Sequence, residues 1–338
     1  MNNTGKNLPG IAVIVPTHNR KKLLPVTLSS ILEQTCPEGW TFHVVVVDDG
    51  SSDGTFESLC RAYGKSKKSA DAVTLAPNLS AIRQKNGERG TARNNGVRWA
   101  IDRLNPDWFL FVDSDDVLAT NAFVHLTERL HSDPSDDVVA VHGVINVLDG
   151  ESVVDAFPRS PRSVEGHVSQ AIIKRPIMSL GASLIRAKTI IDLGGFSERR
   201  EISGSEDWVL LMRVALRGRV LFVPHVVTLY RQHPRRRKSL PSLSSKDLAV
   251  KAMIPDIIAH FGGDSSNAIR LLYRQAEFKK VGALNSHGFW REASQVLFQA
   301  IRHDRLTWTD YRMYRLTLSI AKTAFAKFVK EPQPSFPA

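Results

Sequence analysis

The sequence predicts an α/β protein: a sheet flanked by helices, followed by an α-helical C-terminal region. Short apolar runs recur through the first 230 residues, and such runs are typical of strands buried on both faces of a sheet. Segments with apolar residues at helical spacing separate these runs, and this alternation indicates a parallel sheet. From about residue 244 onwards the helical spacing continues alone.

Strands and helices alternate regularly in the first 130 residues. Residues 11–15 form the first apolar run, which Pro16 ends, and Leu24 and Leu28 then recur at helical spacing. Residues 42–47 form the second run, which an acidic, glycine-rich turn ends. The remaining elements are a short helix ending at residue 59, a strand at 73–75, a helix at 91–101, a strand at 108–112 and a helix at 121–130.

The next hundred residues contain further strands and two more helices. Strands are predicted at 138–148, 153–157 and 182–185, and a helix at 188–193 ends at two glycines. Ser205 is a plausible N-cap for a helix that reaches residue 216, because acidic residues follow it in the first turn. Strands at 220–223 and 226–230 close the α/β region.

A domain boundary is predicted where proline, serine and basic residues cluster, at residues 234–243. The sequence therefore divides into an α/β domain at 8–235 and an α-helical region at 243–331. Within the helical region, breaks are predicted at the glycines 262–263, at Gly282 and at the His-Gly pair 287–288.

Composition places the chain among ordinary globular proteins, with 42% apolar and 23% charged residues in 338. Two cysteines are too few for a disulfide framework or a zinc cluster, and no signal core or membrane-spanning run is present. We therefore expect a cytoplasmic protein. The net charge of +11 favours anionic partners such as nucleotides or membrane surfaces, whereas no nucleic-acid-binding motif occurs.

The strand at 108–112 leads directly into Asp113, Ser114, Asp115 and Asp116. Carboxylates crowded on a short turn repel one another, and hard divalent cations such as Mg²⁺ or Mn²⁺ prefer such oxygen ligands. The strands at 11–15 and 42–47 also end in polar clusters, and ligands bind beyond the carboxyl ends of parallel strands. The sequence thus predicts one metal and ligand site; the alternative is that Asp115 or Asp116 caps the following helix.

Seven motifs in order resemble glycosyltransferase family 2, whose members use nucleotide-sugars and have the GT-A fold. The resemblance covers residues 11 to about 233 and excludes the helical tail. It implies a mixed sheet flanked by helices. The motifs are Val-Pro-Thr-His-Asn-Arg at 15–20, Val-Asp-Asp-Gly-Ser-Ser-Asp-Gly-Thr at 47–55, Gly-Thr-Ala-Arg-Asn at 90–94, Asp-Ser-Asp-Asp at 113–116, Gly-Gly-Phe at 194–196, Ser-Glu-Asp-Trp at 205–208 and Tyr-Arg-Gln-His at 230–233.

The resemblance implies a nucleotide pocket on the first two strands. Pro16, Thr17 and Arg20 would line it. Asp49 would accept the N3–H of a uracil ring, as an ionised carboxylate can. An EF-hand reading of the turn after Asp49 fails, because Cys60 stands where the loop needs a glutamate.

The resemblance also implies how the donor diphosphate is held. Arg93 and Asn94 would approach it. Asp113, Ser114 and Asp115 would form the Asp-x-Asp motif, with Asp115 ligating Mn²⁺ or Mg²⁺. The metal would neutralise the diphosphate and help it leave.

Catalysis would fall to the motif at 205–208 and to the end of the α/β region. By the resemblance, Asp207 is the general base, Glu206 supports the acceptor site, and His233 completes the metal or diphosphate shell with Arg231 nearby. Two alternatives stay open: the motif at 205–208 is only a helix cap, or His233 is a solvated residue beside a basic run.

The implied reaction is metal-dependent and inverting, moving a sugar from a UDP-sugar to a hydroxyl of a glycan or glycolipid. Two other classes are considered. A sugar nucleotidyltransferase needs a glycine-rich basic loop after the first strand, and residues 16–20 lack one. A non-catalytic nucleotide-sugar binder or scaffold is disfavoured by Asp207.

The C-terminal segment combines aromatic and basic residues at near-helical spacing, including Trp308, Tyr311, Tyr314 and Leu318. Such a helix can lie on an anionic membrane surface, which would allow peripheral contact with the inner membrane. The alternative is that it packs on the preceding helices. The sequence predicts neither the transferred sugar nor an oligomeric state.

Overall fold

A computed structural model describes residues 8–64, 72–157, 165–232, 243–302 and 316–324. Contacts divide the chain into two compact units, Met1–His233 and Pro234–Ala338. The first unit contains the sheet and the second is helical within its described residues. The predicted domain limits of 8–235 and 243–331 stay a prediction.

The first unit alternates strands and helices, as predicted. Its strands are β1 (Gly10–Thr17), β2 (Thr41–Asp49), β3 (Ala72–Ala76), β4 (Leu79–Gln84), β5 (Trp108–Phe111), β6 (Val117–Leu118), β7 (Val138–Asp149), β8 (Ser152–Phe157), β9 (Ser183–Arg186) and β10 (Arg219–Gln232). Its helices are α1 (Leu24–Leu32), α2 (Thr55–Ala62), α3 (Glu88–Leu104), α4 (Ala122–Ser132), α5 (Ser169–Lys174), α6 (Ala187–Asp192) and α7 (Glu206–Ala215).

Within the described residues the ten strands form one mixed sheet, in the order β3-β4-β2-β1-β5-β9-β7-β10-β6, with β8 paired to β7. The segment β4-β2-β1-β5 is parallel, and so is the β7–β10 pair. The pairs β3–β4, β5–β9, β7–β9, β7–β8 and β6–β10 are antiparallel. The carboxyl ends of β1, β2 and β5 therefore reach the same edge of the sheet, where the polar clusters of the sequence lie.

Both faces of the parallel segment are covered, which explains why its strands are continuously apolar. On one face Val13 and Val15 join a buried cluster that includes Leu24 and Leu28 of α1. On the other face α3 lies so close that a Cβ on Gly96 would be 2.6 Å from Ile14 Cγ2. Helix α3 therefore packs closely against β1 and β2.

The structure corrects three expectations. Strand β4 has no counterpart in the predicted elements, although it extends the parallel segment beside β2. The two strands predicted at 220–223 and 226–230 are one strand, β10, because a register shift between Phe222 and Val226 takes up the intervening residues without ending the pairing with β7. Gly282 does not break a helix, since an isolated glycine costs a helix only about 1 kcal/mol.

The second unit contains α8 (Leu243–Phe261), α9 (Ser265–Ser286) and α10 (Trp290–Arg302), and residues 316–324 are also helical. Leu284, Leu297 and Ile320 belong to its buried core. Among the described residues, no helix is both long and apolar enough to cross a bilayer. Of the aromatic and apolar residues singled out in the tail, Trp308, Tyr311 and Tyr314 lie outside the described residues.

Candidate active site

Three carboxylates converge immediately beyond β5. The chain turns here because the Asp116 amide donates to the carbonyl of Asp113, at 2.9 Å. One carboxylate oxygen from each of Asp113, Asp115 and Asp116 lies within 4.8 Å of the others. Asp115 and Asp116 are buried, so their charges are poorly screened by water. The donor set therefore fits a hard divalent cation.

Arginines surround this cluster. Arg20 lies 3.4 Å from Asp115, and Arg93 lies 2.9 Å from Asp113. Arg231 donates through Nε to the carbonyl of Asp115 at 2.8 Å, so it supports the backbone of the turn. Ser114 is buried between the two motif aspartates. Asp116 belongs to the sequence motif, but the sequence analysis does not predict it as a metal ligand. Its position next to Asp115 is the signal that could have indicated this role.

The carboxylate of Asp49, at the end of β2, is fixed from one side. Its Oδ1 accepts hydrogen bonds from Gln84 Nε2 and from the Gly87 amide, both at 2.8 Å. Its Oδ2 accepts none from the described part of the chain. The Asp49 backbone carbonyl is contacted by His18 Nδ1 at 2.8 Å and by Asn86 Nδ2 at 3.1 Å. The sequence analysis does not identify Gln84 and Gly87 as partners of Asp49, because it does not predict β4, the strand that brings them beside β2.

Beside Asp49, the end of β1 offers an unused hydroxyl. Thr17 pairs with Asp48 in the sheet register, and Pro16 pairs with Val47. Thr17 Oγ1 is buried and has no hydrogen-bond partner in the described ranges. Because buried polar atoms are nearly always paired, this orphan oxygen favours a ligand at the end of β1.

A second buried aspartate supports the same turn. Burial raises the pKa of Asp48, and hydrogen bonds from Ser51 and the charge of Arg83 reduce this rise. Arg83 Nε lies 3.1 Å from Asp48, and its Nη2 donates to the carbonyl of Ser51 at 2.8 Å. Arg83 also pairs with Glu57 at 2.9 Å. No feature of the sequence singled out Arg83, because its partners lie on other elements.

Arg93 and Asn94, on the inner face of α3, contact protein groups. Arg93 bridges Asp113 at 2.9 Å and Glu206 at 2.8 Å. Burial lowers the pKa of Arg93, but the charges of Asp113, Glu206 and Asp207 outweigh this effect and raise the pKa above its ordinary value. Asn94 donates to the carbonyl of Phe196 at 2.9 Å and accepts from the Phe196 amide at 2.9 Å. The diphosphate role of both residues stays a prediction.

The first turn of α7 contains two acidic residues that differ in burial. Glu206 is buried, with Oε1 on Arg93 and with Oε2 accepting from the Gly204 amide at 2.6 Å. Asp207 is exposed, and its Oδ1 accepts from the Trp208 amide at 2.7 Å. Ser205 makes no capping hydrogen bond through its side chain. Of the two carboxylates, that of Asp207 is therefore the one open to a ligand.

The predicted residues thus fall into two groups. Pro16, Thr17 and Asp49 share the β1–β2 end, whereas six of the others form a connected network around the aspartate turn. This network links Arg20, Arg93, Asp113, Asp115, Glu206 and Arg231. His233 lies outside the described residues, so its predicted metal or diphosphate role stays a prediction.

Comparison with known proteins places this geometry in context. The sequence model described as "Glycosyl transferase family 2" matches residues 12–190. The chain is similar to the poly(ribitol-phosphate) beta-glucosyltransferase of Bacillus spizizenii, with 22% identity over 213 residues, covering 63% of this chain and 30% of that protein. The chain spans about a third of the length of the curated relatives it matches.

Two solved structures share the fold. S. aureus TarS 1-349 in complex with UDP-GlcNAc is 18% identical, with a TM-score of 0.61 and coverage of 96% of this chain and 93% of that chain. The mannosyltransferase PcManGT from Pyrobaculum calidifontis, in complex with GDP-Man and Mn²⁺, is 18% identical, with a TM-score of 0.56 and coverage of 96% and 88%. The expected GT-A fold is confirmed. Since the family model matches more than half of the sequence, the chain belongs to glycosyl transferase family 2.

Proposed function

We propose that this protein is a metal-dependent, inverting glycosyltransferase that moves a sugar from a UDP-sugar to a hydroxyl of a glycan or glycolipid. The observation that carries the proposal is the aspartate cluster beyond β5, which is next in the sheet to the polar ends of β1 and β2. A cation site next to a nucleotide pocket is what transfer from a nucleoside diphosphate sugar requires.

Asp49 would recognise the uracil ring of the UDP-sugar. Because Gln84 and Gly87 both donate to Oδ1, Oδ2 is the oxygen positioned to accept the N3–H of uracil. Thr17 would supply the neighbouring hydroxyl, and Pro16 and Arg20 would line the pocket. The similar TarS structure was solved with UDP-GlcNAc, which supports a UDP-sugar donor.

Asp115 and Asp113 would hold Mn²⁺ or Mg²⁺, and we add Asp116 to this set because its carboxylate reaches the same space. When bound, the cation supplies charge neutralisation of the donor diphosphate and so makes UDP a better leaving group. Arg20 and Arg231 keep the aspartate turn in place through Asp115. His233 would complete the shell.

Asp207 would be the general base. Its carboxylate is exposed at the start of α7 and can receive the proton of an acceptor hydroxyl. Glu206 is turned inward to Arg93, so it would orient this first turn rather than take the proton. Attack from the side opposite the departing UDP inverts the anomeric centre.

We further propose a cytoplasmic enzyme of surface polysaccharide or glycolipid synthesis, with an α/β domain at 8–235 that binds the donor and a helical region at 243–331. The similar protein of B. spizizenii is named for transfer to poly(ribitol-phosphate), which supports a polymeric glycan-type acceptor. Peripheral contact of the basic tail with the membrane would bring the enzyme to a lipid-linked acceptor.

A thermal-shift screen of UDP-, GDP- and dTDP-sugars, with and without Mn²⁺, tests the donor and the metal together. We expect the largest stabilisation from a UDP-sugar with Mn²⁺, because a ligand of the folded state raises the melting temperature. Asp115→Ala should remove the metal-dependent part. Asp102→Ala, an exposed aspartate of α3, is the control and should behave as the native chain.

Two results would contradict the proposal. Equal shifts with and without Mn²⁺ would remove the metal from it. Binding without any donor hydrolysis or sugar transfer would favour the non-catalytic binder.

A further inference from the structure

Arg93 stands where the aspartate cluster meets the first turn of α7. Its Nη2 lies 2.9 Å from Asp113 Oδ1, and its Nη1 lies 2.8 Å from Glu206 Oε1. The Arg93 and Glu206 side chains are each only 4% exposed. One guanidinium thus joins a candidate cation ligand to the residue that precedes the proposed base. Water screens the Arg93–Glu206 pair little, whereas the Asp113 side chain is 32% exposed.

The guanidinium is also fixed from its face. It lies over the ring of Phe196, 5.3 Å from the ring centroid, and Asn94 holds the Phe196 backbone through two hydrogen bonds. Helix α3 also packs closely against the segment after Phe196, because a Cβ on Gly90 would be 2.3 Å from the carbonyl oxygen of Ser197. Each terminal nitrogen of Arg93 therefore already faces a carboxylate in this structure.

We propose that Arg93 is a positioning residue, which couples the cation affinity of the aspartate cluster to the first turn of α7 through its salt bridges to Asp113 and Glu206. This inference rests on the proposed function, since it assumes that the cluster binds a cation and that Asp207 acts in that turn. It assigns Arg93 to the link between donor and acceptor sides instead of to the diphosphate.

The coupling follows from shared charge. The guanidinium divides its attraction between Asp113 and Glu206. If Glu206 loses its charge, Arg93 neutralises Asp113 more fully, and the cluster attracts a cation less strongly. By linkage, a cation that competes for Asp113 must strengthen the Arg93–Glu206 pair and so hold the first turn of α7 in place.

Titration of the protein with Mn²⁺ alone measures this coupling and needs neither the sugar donor nor the sugar acceptor. The electron paramagnetic resonance signal of the free ion monitors the titration. We expect Glu206→Gln to weaken Mn²⁺ binding about fivefold or more, although Glu206 is not part of the cluster. In an Arg93→Gln background the same substitution should change the affinity less than about twofold, because the mediating charge is gone. The double variant retains a neutral, hydrogen-bonding pair and should fold.

Glu198→Gln is the matched control. Glu198 lies two residues after Phe196 and accepts from Asn94 Nδ2 at 2.8 Å. Within the described residues its ion pair is with Arg98 instead of Arg93, and its side chain is 43% exposed. We expect its Mn²⁺ affinity to equal that of the native chain. If Glu206→Gln matches this control, or acts equally in both backgrounds, the coupling is wrong. Absence of saturable Mn²⁺ binding in the native chain would instead contradict the metal in the proposed function, and the coupling with it.

Hydrogen exchange provides a second measurement, which needs no Arg93 variant and therefore survives a folding failure of Arg93→Gln. The Gly204 amide donates to Glu206, and the Val209 amide donates to the carbonyl of Ser205 at 3.0 Å. We expect Mn²⁺ to slow exchange in peptides that span residues 203–210 in the native chain, but not in Glu206→Gln. Equal slowing in both would overturn the proposal.

Discussion

At the level of single residues, the Asp49 carboxylate presents two unequal oxygens. Its Oδ1 receives the Gln84 and Gly87 donors, whereas Oδ2 accepts nothing from the described residues. This asymmetry matters for substitution, because an asparagine at this position has one acceptor and one donor end. The two fixed donors would hold the amide oxygen in the place of Oδ1 and turn the amide NH₂ towards the ligand.

We predict that Asp49→Asn weakens UDP binding about 10- to 100-fold. The amide NH₂ would face the N3–H of uracil, and a donor left facing a donor costs about 1–3 kcal/mol. CDP should lose less or gain, since N3 of cytosine is an acceptor. Calorimetry with UDP and CDP measures both. Mn²⁺ affinity is the control and should stay within about twofold, and an unchanged preference for UDP would contradict the role of Asp49.

Asp207 and Glu206 are neighbours with different surroundings, and the difference predicts different losses. Asp207→Asn keeps the shape and removes the proton acceptor, so we expect near-normal donor binding and transfer slowed on the order of 10²–10⁴-fold. Glu206→Gln should slow transfer less at saturating Mn²⁺, because its carboxylate is buried against Arg93. Single-turnover transfer, measured beside donor affinity, distinguishes the two.

Two outcomes would count against the assignment of Asp207. Transfer at the native rate by Asp207→Asn would place the base elsewhere. An equal loss of donor binding would mean that the residue only supports the helix end.

At the level of elements, α3 depends on close approach to the sheet. Ala at position 96 would bring a Cβ within 2.6 Å of Ile14 Cγ2 and 3.0 Å of Val47 Cγ2. Gly282 is also within a helix, α9, but nothing lies within 4 Å of a Cβ built there. A side chain at position 96 would therefore clash with the sheet, whereas one at position 282 would meet no neighbour. The sequence does not distinguish the two, since each is a glycine within a helical pattern.

We predict that Gly96→Ala lowers the free energy of unfolding by about 1–2 kcal/mol, because overpacking costs about 1–3 kcal/mol and exceeds the gain of about 1 kcal/mol in helix propensity. Gly282→Ala is the matched control and should stabilise by roughly 0.5–1 kcal/mol. Urea denaturation of both variants gives the comparison. Stabilisation by Gly96→Ala would show that α3 is not in tight contact with β1 and β2.

At the level of the whole molecule, the net charge of +11 favours anionic partners, and the C-terminal segment carries several of the basic residues. Ile320, within this segment, is buried in the core with Leu284 and Leu297. Truncation of the tail would therefore remove core packing as well as charge, so charge substitutions are the cleaner experiment.

We predict that replacing Arg312, Arg315, Lys327 and Lys330 together by glutamine reduces co-sedimentation with phosphatidylserine vesicles at least tenfold. Basic residues near an anionic surface contribute about 1 kcal/mol each. The substitutions leave Ile320 in place, and an unchanged melting temperature is the control. Equal, salt-insensitive pelleting of both proteins would favour the alternative that the tail only packs on the helices before it.

Much of the fold was readable because its signals are local. The runs at 11–15 and 108–112 are apolar at every position, as is typical of a strand covered on both faces. The first lies within β1, and the second contains β5. Strand β4 was missed because its residues show no comparable run: Ser80, Arg83 and Gln84 interrupt it. Its place beside β2 depends on pairing, which a short segment does not encode.

The sequence by itself determined that carboxylates follow β5, that Asp49 follows β2 and that acidic residues open α7, since strand ends and helix starts are marked by neighbouring residues. Only the tertiary structure decided how these groups are connected. Arg93 and Glu206 are 113 positions apart, and Asn94 and Phe196 are 102 apart. Nothing in either short motif specifies the other, because an ion pair or an amide contact exists only once distant surfaces pack together and exclude the water that would otherwise satisfy each group.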